Sequence, residues 1–161
     1  MSKLIFDGST HQLSLVDDNG AAIGTWAAYN NVDSHATIRY LENKTYDMQD
    51  TKTPRHHKPN ANGPYGSHGI VRFNVPHHPG IGVHSGRANA RHKPGPEHAT
   101  MGCIRTTDAA MEKIVATMKT SPLTTIEVKN NAAPTAHYAS QRLKNKHLHE
   151  NSFSTSISTK R

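Results

Sequence analysis

The chain has 161 residues, the length of one domain, and hydrophobic residues make up 34% of it. No stretch approaches the roughly 18 apolar residues of a membrane-spanning helix, which excludes a protein that inserts into the membrane. Lysine and arginine outnumber aspartate and glutamate by 19 to 12. This excess favours an anionic partner, such as nucleic acid, a membrane surface or a carboxylate-rich polymer, or else serves solubility alone. The single cysteine, Cys103, excludes an internal disulfide.

The first part of the chain predicts antiparallel strands followed by a long loop. Alternating apolar residues over 3–16 predict a strand pair, and 17–20 read Asp-Asp-Asn-Gly, a hairpin turn that leads into a further strand at 22–29. Residues 38–41 indicate another short strand. The stretch 46–66 is polar and rich in proline, asparagine and histidine, so we expect a long loop there.

The remainder of the chain predicts short strands, one helix and a tail. Residues 69–75 and 80–84 are candidate strands, and a basic loop follows at 86–99. Apolar residues with helical spacing predict an amphipathic helix over 107–119, and a last strand is predicted at 123–128. The residues that carry the helix prediction are Met111, Ile114, Val115 and Met118, with Thr107 or Asp108 as its cap and Ser121-Pro122 at its end.

The predicted fold class is therefore mainly β, a β-rich α+β domain with one helix after the cysteine. We place this domain at 1–130. Residues 131–161 contain few large apolar groups, so we expect a basic, flexible tail, in which 139–149 could form a short surface helix.

The segment around Cys103 carries the candidate chemistry. A cysteine attacks carbonyl groups through its thiolate, of which only a few per cent is present at pH 7 when the pKa is about 8.5. His84, at the end of a predicted strand, is a candidate base for the thiol proton. Gly102 allows close approach of the backbone, so the amides of Gly102 and Cys103 could stabilise an oxyanion.

Two alternatives compete with this interpretation. A lone cysteine is more often a buried apolar side chain than a nucleophile, and the chain has 13 histidines, so one falls near any cysteine by chance. The order of His84 before Cys103 and the helix that follows favour catalysis. His56-His57 and His77-His78 suggest a metal site, but adjacent histidines point apart on a strand and no zinc motif is present, so we predict no metal ion and no cofactor.

The segment from His84 to Arg105 resembles the catalytic signature of the YkuD-type L,D-transpeptidases. That signature is a histidine, a spacer, and Ser/Thr-His-Gly-Cys followed by an apolar residue and arginine or asparagine. Here the signature runs from His84, across fifteen residues, to the hexapeptide 100–105, Thr-Met-Gly-Cys-Ile-Arg. Segments 9–15 and 62–66 are similar to two further segments of the family. They lie along this chain in the same order as in the family. The resemblance spans about residues 3–129 and implies a YkuD-like β-sandwich.

The resemblance also implies residue roles. Cys103 attacks the carbonyl of the L-centre of the diamino acid at the third position of a peptidoglycan stem tetrapeptide. His84, oriented by the backbone carbonyl of Ser85, takes the thiol proton and later protonates the leaving D-alanine. Gly102 supplies an oxyanion amide. The acyl group then passes to an amine, giving a cross-link or D-amino-acid exchange, or to water, which is L,D-carboxypeptidase action.

Five residues are candidates for substrate binding. Arg105 either binds a substrate carboxylate or fixes the loop backbone. Met101 stands where most family members have a histidine, which bears on rate and on the choice of substrate. Tyr65, His68 and Arg87 either line the donor groove or belong to a surface loop.

The resemblance further suggests a place of action. The chain starts without a signal-peptide pattern, so we expect synthesis in the cytoplasm. Family members with this arrangement resemble type VI secretion effectors that attack the wall of rival bacteria. On that analogy the protein would act in the periplasm of a target bacterium, with the secretion machinery and a cognate immunity protein as partners.

Two other functions remain as alternatives. One is a noncatalytic basic module that binds cell wall or nucleic acid; with three phenylalanines and one tryptophan there is little stacking surface, so we expect no nucleic-acid partner. The other is a cysteine hydrolase of the NlpC/P60 kind, but that family places cysteine before histidine, the reverse of the order here.

Overall fold

The structure, a computed structural model, describes residues 1–133. In this part of the chain the strands and the α-helix are, in chain order, β1 (Ser2–Asp7), β2 (Gln12–Val16), β3 (Ala22–Tyr29), β4 (Lys44–Asp47), β5 (Val71–Arg72), β6 (Gly82–His84), β7 (Ile104–Thr106), α1 (Asp108–Met118) and β8 (Leu123–Lys129). A short 3-10 turn spans Gly95–Glu97. The predicted mainly β class, with one helix after the cysteine, is confirmed. No helix of this part is long and apolar enough to cross a bilayer.

The strands form one mixed sheet in the order β4-β8-β1-β2-β3-β7-β6-β5. The pairs β1–β8 and β6–β7 are parallel, and the other pairs are antiparallel. Strand β3 joins the larger part of the sheet to the part that holds β5–β7. Both parts share one hydrophobic core, which includes Phe6, Val83, Ile104 and Ile114. The sheet therefore curls around a common interior, and α1 fills part of it.

The N-terminal strands form where the alternation predicts them. Leu4 and Phe6 of β1 and Leu13 and Leu15 of β2 are fully buried, and the residues between them are less so. In the turn that follows β2, the carboxylate of Asp17 accepts hydrogen bonds from the backbone N–H groups of residues 19 and 21, both at 2.9 Å. This local bonding explains why the hairpin could be read from sequence.

The predicted strand at 38–41 is wrong. The backbone bends there, and the buried Leu41 donates its N–H to the side chain of Asn30 at 3.0 Å instead of to a neighbouring strand. The strand lies a few residues later, at β4, and pairs with β8. Its Tyr46 and the following Met48 are buried, so the start of the stretch predicted as a loop belongs to the core.

The predicted strands at 69–75 and 80–84 are present but shorter. Gly69 and Gly80 both have a positive φ, which interrupts extended backbone and leaves only β5 and β6 as regular pairing. Strand β7, directly after the cysteine, was not predicted as a strand, because three buried residues are too few to show a period.

The predicted helix is confirmed as α1, with Thr107 as its N-cap: the Thr107 hydroxyl accepts the N–H of Ala110 at 3.0 Å. The domain extends slightly past the predicted boundary at residue 130. Asn131 donates its backbone N–H to Asn43 at 2.8 Å and its side-chain amide to the Leu41 carbonyl at 2.9 Å. The rest of the predicted tail, 134–161, lies outside the described residues, as does the possible helix at 139–149.

Candidate active site

The parallel pair β6–β7 brings His84 and Cys103 together. Val83 lies opposite Ile104 and His84 opposite Arg105, so Cys103, one residue before β7, lies beside Gly82. Because side chains alternate along a strand, the imidazole and the thiol point to the same face of this pair on adjacent strands. Both side chains line one pocket of about 240 Å³.

Most of the predicted site residues meet in this pocket. Its lining comprises Pro64, Tyr65, His84, Arg87, His98, Ala99, Thr100, Met101, Cys103 and Arg105. Ser85 and Gly102 are not part of the lining and contact the site through their backbone. His68 does not line this pocket, so its place in a donor groove stays a prediction. His98 and Thr100 were missed, although both lie in the signature stretch between His84 and Cys103.

One hydrogen bond sets the protonation of His84. Its Nδ1 lies 2.7 Å from the backbone carbonyl of Ser85, and a carbonyl can only accept, so Nδ1 carries a hydrogen and donates it. Burial, followed by the nearby positive charge of Arg105, lowers the pKa of His84 to about 3. The imidazole is therefore neutral at pH 7, and its Nε2 holds the free lone pair that a general base needs.

The thiol of Cys103 is also neutral in the resting protein. Burial raises its pKa, and the Gly82 backbone N–H and the charge of Arg105 only partly oppose that effect. The side chains of His84 and Cys103 are thus both uncharged at pH 7. A reaction that uses the thiolate would therefore require a base to remove the thiol proton.

The turn that carries the cysteine is held by hydrogen bonds from both sides. Asn30 donates its side-chain amide to the carbonyls of Gly102 at 2.9 Å and Cys103 at 3.2 Å. Thr100 donates its hydroxyl to the Cys103 carbonyl at 2.7 Å and accepts the Gly102 N–H at 3.2 Å. The oxyanion role of the Gly102 amide stays a prediction, because an oxyanion would have to replace the Thr100 hydroxyl.

Only glycine fits at position 102. Its φ is +133°, and a Cβ there would lie 2.8 Å from a methyl carbon of Ile38 and 3.1 Å from the end of Ile81. The Gly-Cys pair of the signature therefore has a steric reason in this structure: the turn passes directly over two apolar side chains.

Arg105 fixes the walls of the pocket. Its guanidinium is buried and donates to the carbonyls of His98 at 2.8 Å, Ala99 at 3.0 Å and Pro64 at 3.2 Å. These bonds join the loop before the cysteine to the loop around residue 64. Of the two roles considered for Arg105, the structure shows loop fixation. The positive charge of Arg105 acts to lower the pKa of both His84 and Cys103, although burial outweighs this effect at Cys103.

Three aromatic rings form one wall of the site. The Tyr65 ring meets the His84 ring edge to face, with centroids 5.0 Å apart, and stacks on His57 at 3.9 Å with an interplanar angle of 7°. Tyr65 therefore lines the pocket, and its role in binding a donor substrate stays a prediction. His57 was considered only as part of a metal site, and no sequence signal linked it to Tyr65.

Asp108 is connected to His84 through Ser85. Its sequence position indicated only a helix cap. Asp108, the first residue of α1, accepts a short hydrogen bond from the hydroxyl of Ser85. It also accepts the Ser67 hydroxyl at 2.7 Å and the Ser67 N–H at 3.2 Å. Burial opposes ionisation, but these hydrogen bonds prevail and lower the pKa of Asp108. Asp108 thus holds both the residue that orients His84 and the loop that carries Tyr65.

The remaining predicted residues lie at the mouth of the pocket. Met101 is 48% exposed at its edge, where a larger or polar side chain would face substrate. Arg87 also lines the pocket, and within residues 1–133 its buried Nε has no hydrogen-bond partner. Within residues 1–133 no three histidine, cysteine, aspartate or glutamate side chains come together in a way that could hold a metal ion.

Comparison with known proteins gives the family. The model of the YkuD L,D-transpeptidase catalytic domain matches residues 2–128. The chain therefore belongs to the L,D-transpeptidase catalytic domain family. A search of curated proteins found no match.

Solved structures with the same fold are distant in sequence. An L,D-transpeptidase from Stackebrandtia nassauensis has a TM-score of 0.55 at 16% identity, over 83% of this chain and 58% of that one. Bd1075 from Bdellovibrio bacteriovorus has a TM-score of 0.59 at 15% identity, over 92% and 55%. The helical cell shape determining protein Pgp2 from Campylobacter jejuni has a TM-score of 0.58 at 12% identity, over 86% and 51%. The chain thus matches little more than half the length of these proteins.

The neutral thiol leads to a prediction about alkylation. The rate of Cys103 modification by iodoacetamide, followed by intact mass, should rise with a midpoint above the ordinary thiol pKa of about 8.5, because burial raises the pKa. The chain has one cysteine, so the signal is unambiguous, and glutathione in the same buffers is the control. A midpoint below about 7 would show a preformed thiolate–imidazolium pair and contradict this account.

A second prediction concerns Asp108. Asp108→Asn keeps the size of the side chain but removes the charge that holds Ser85 and Ser67, so turnover should fall about tenfold or more while KM changes little. Ser85→Ala should act similarly, and the double variant should be little worse than either single variant, because both changes break one network. Fully additive losses, or a change in KM alone, would show that Asp108 does not position His84.

Proposed function

We propose that the protein is a cysteine acyltransferase that acts on the tetrapeptide stems of peptidoglycan. The observation that carries this proposal is that Cys103 shares one pocket with a His84 imidazole whose Nδ1–H is committed to the Ser85 carbonyl. This tautomer leaves Nε2 free to accept the thiol proton. Membership of the L,D-transpeptidase family supports the substrate class.

In the proposed first step, Cys103 Sγ forms a bond to the carbonyl carbon of the third residue of the stem while His84 takes the thiol proton. The tetrahedral oxyanion would be stabilised by backbone amides of the cysteine turn and by the fixed cation of Arg105. Collapse breaks the bond to the terminal D-alanine, and His84 returns the proton to its amine. The product is a thioester on Cys103.

In the proposed second step, an acceptor attacks the thioester. A stem amine would give a 3–3 cross-link, a free D-amino acid would give exchange, and water would give the shortened tripeptide. The pocket is open to solvent at Met101 and Arg87, so both amines and water have access. Thr100 and Asn30 hold the cysteine turn in place through both steps.

The activity test uses purified stem tetrapeptides and muropeptides analysed by mass spectrometry. The wild-type protein should release D-alanine, and Cys103→Ala should lower that rate at least about a thousandfold. His84→Gln should lower it by about a hundredfold or more because the proton acceptor is lost. His56→Gln, which changes an exposed histidine outside the pocket, is the matched control. Unchanged release of D-alanine by Cys103→Ala would overturn the proposal.

We propose further that the protein acts as an antibacterial effector in the periplasm of a target cell, where peptidoglycan lies. Delivery by a type VI secretion system and a cognate immunity protein in the producer belong to this proposal. Its support is the sequence resemblance to such effectors, together with a chemistry that would remove or misjoin stems needed for normal cross-linking.

Expression in a bacterial host tests this role. Directed to the periplasm, the protein with Cys103 intact should cause lysis or arrest growth, and the same protein kept in the cytoplasm should not. Cys103→Ala should be harmless in both places. Toxicity in the cytoplasm, or toxicity that survives Cys103→Ala, would contradict a wall-directed effector.

A further inference from the structure

Positive charge in the described part of the chain is concentrated in two loops. Segments 52–68 and 86–99 together hold six lysines and arginines and one acid, Glu97; the rest of residues 1–133 holds eight lysines and arginines and ten acids. We name these two segments the basic rim. Its cations are Lys52, Arg55, Lys58, Arg87, Arg91 and Lys93.

The two segments are joined to each other by backbone hydrogen bonds beside the pocket. The backbone N–H of Arg87 donates to the Gly63 carbonyl at 3.0 Å, and the backbone N–H of Ala88 donates to the Ala61 carbonyl at 3.1 Å. Tyr65 from the first segment and Arg87 from the second both line the pocket that holds Cys103. A polymer whose side branch enters this pocket would therefore lie against the basic rim.

Four of the six cations of the rim are exposed. Arg55, Lys58 and Arg91 are exposed, and within residues 1–133 none of them forms an ion pair; Lys93 lies 3.5 Å from Glu97. Five prolines in the two segments restrict the backbone, so little further ordering is needed on binding. The rim is thus a preformed array of charges.

We propose that the basic rim is a docking surface for the peptidoglycan polymer, where its cations bind the free carboxylates of stems next to the one that enters the pocket. This inference rests on the proposed function. Many weak contacts to one polymer raise the local concentration of stems at Cys103. Nucleic acid fits less well, because Tyr65 is the one phenylalanine, tyrosine or tryptophan of the two segments and bases would have little to stack on.

The binding experiment uses the full chain with Cys103→Ala, so that no turnover occurs. The rim variant carries Arg55→Gln, Lys58→Gln and Arg91→Gln. The matched control carries Lys3→Gln, Lys113→Gln and Lys119→Gln, which remove three exposed charges elsewhere. In sedimentation with purified sacculi at 50 mM salt, the rim variant should bind about tenfold more weakly than the parent, and the control within about twofold. At 0.5 M salt the difference should vanish because the charges are screened.

A second measurement separates docking from catalysis. With Cys103 intact, the rim variant should release D-alanine from a free tetrapeptide at the wild-type rate but from sacculi about tenfold more slowly. If the wild-type protein releases no D-alanine at all, the proposed function fails while the binding result still decides the docking surface. Equal losses in the rim and control variants, or tighter binding to duplex DNA than to sacculi at 150 mM salt, would overturn the docking proposal.

Discussion

The hydrogen bond from His84 Nδ1 to the Ser85 carbonyl is the interaction on which the rest of the site depends. It commits one ring nitrogen to donation and leaves the other as an acceptor for the thiol proton. The bond is itself supported from two directions: Asp108 binds the Ser85 hydroxyl, and the Tyr65 ring packs against the imidazole. A backbone carbonyl thus does for this histidine what a carboxylate does in many other catalytic sites, without placing a negative charge beside the base.

Burial moves the pKa values of His84 and Cys103 in opposite directions, whereas the nearby charge of Arg105 acts to lower both. Desolvation disfavours both the thiolate and the imidazolium, so the resting pair is neutral. The guanidinium of Arg105, held by three carbonyls, opposes this for the sulfur and reinforces it for the imidazole. Under the proposed function, a neutral pair suits a thiol that reacts with a bound stem rather than with any electrophile in solution. It also makes the protonation of the site dependent on how substrate changes its hydration.

The fold explains why these groups meet. A parallel pair of short strands places residue 84 next to the turn at 100–103, although fifteen residues separate His84 from Thr100 in the chain. Those residues form a loop that is hydrogen-bonded to the loop at 60–66, and together the two loops border the pocket and contribute to the basic rim. The catalytic pair and the charged surface are therefore two consequences of the same arrangement of strands and loops.

Patterns within a few residues determined part of this protein from sequence alone: the turn between β2 and β3 and the cap and face of α1 depend on neighbours in the chain, where propensity and local hydrogen bonds decide. The family signature likewise marked His84, Cys103 and the carbonyl of Ser85. Only the tertiary structure decided that Arg105 binds the Pro64 carbonyl, that Asp108 holds Ser85, and that His57 stacks on Tyr65. Such contacts join segments that are distant along the chain or lie in loops without a period, so their partners are chosen by the packing of the whole domain and leave no local pattern to read.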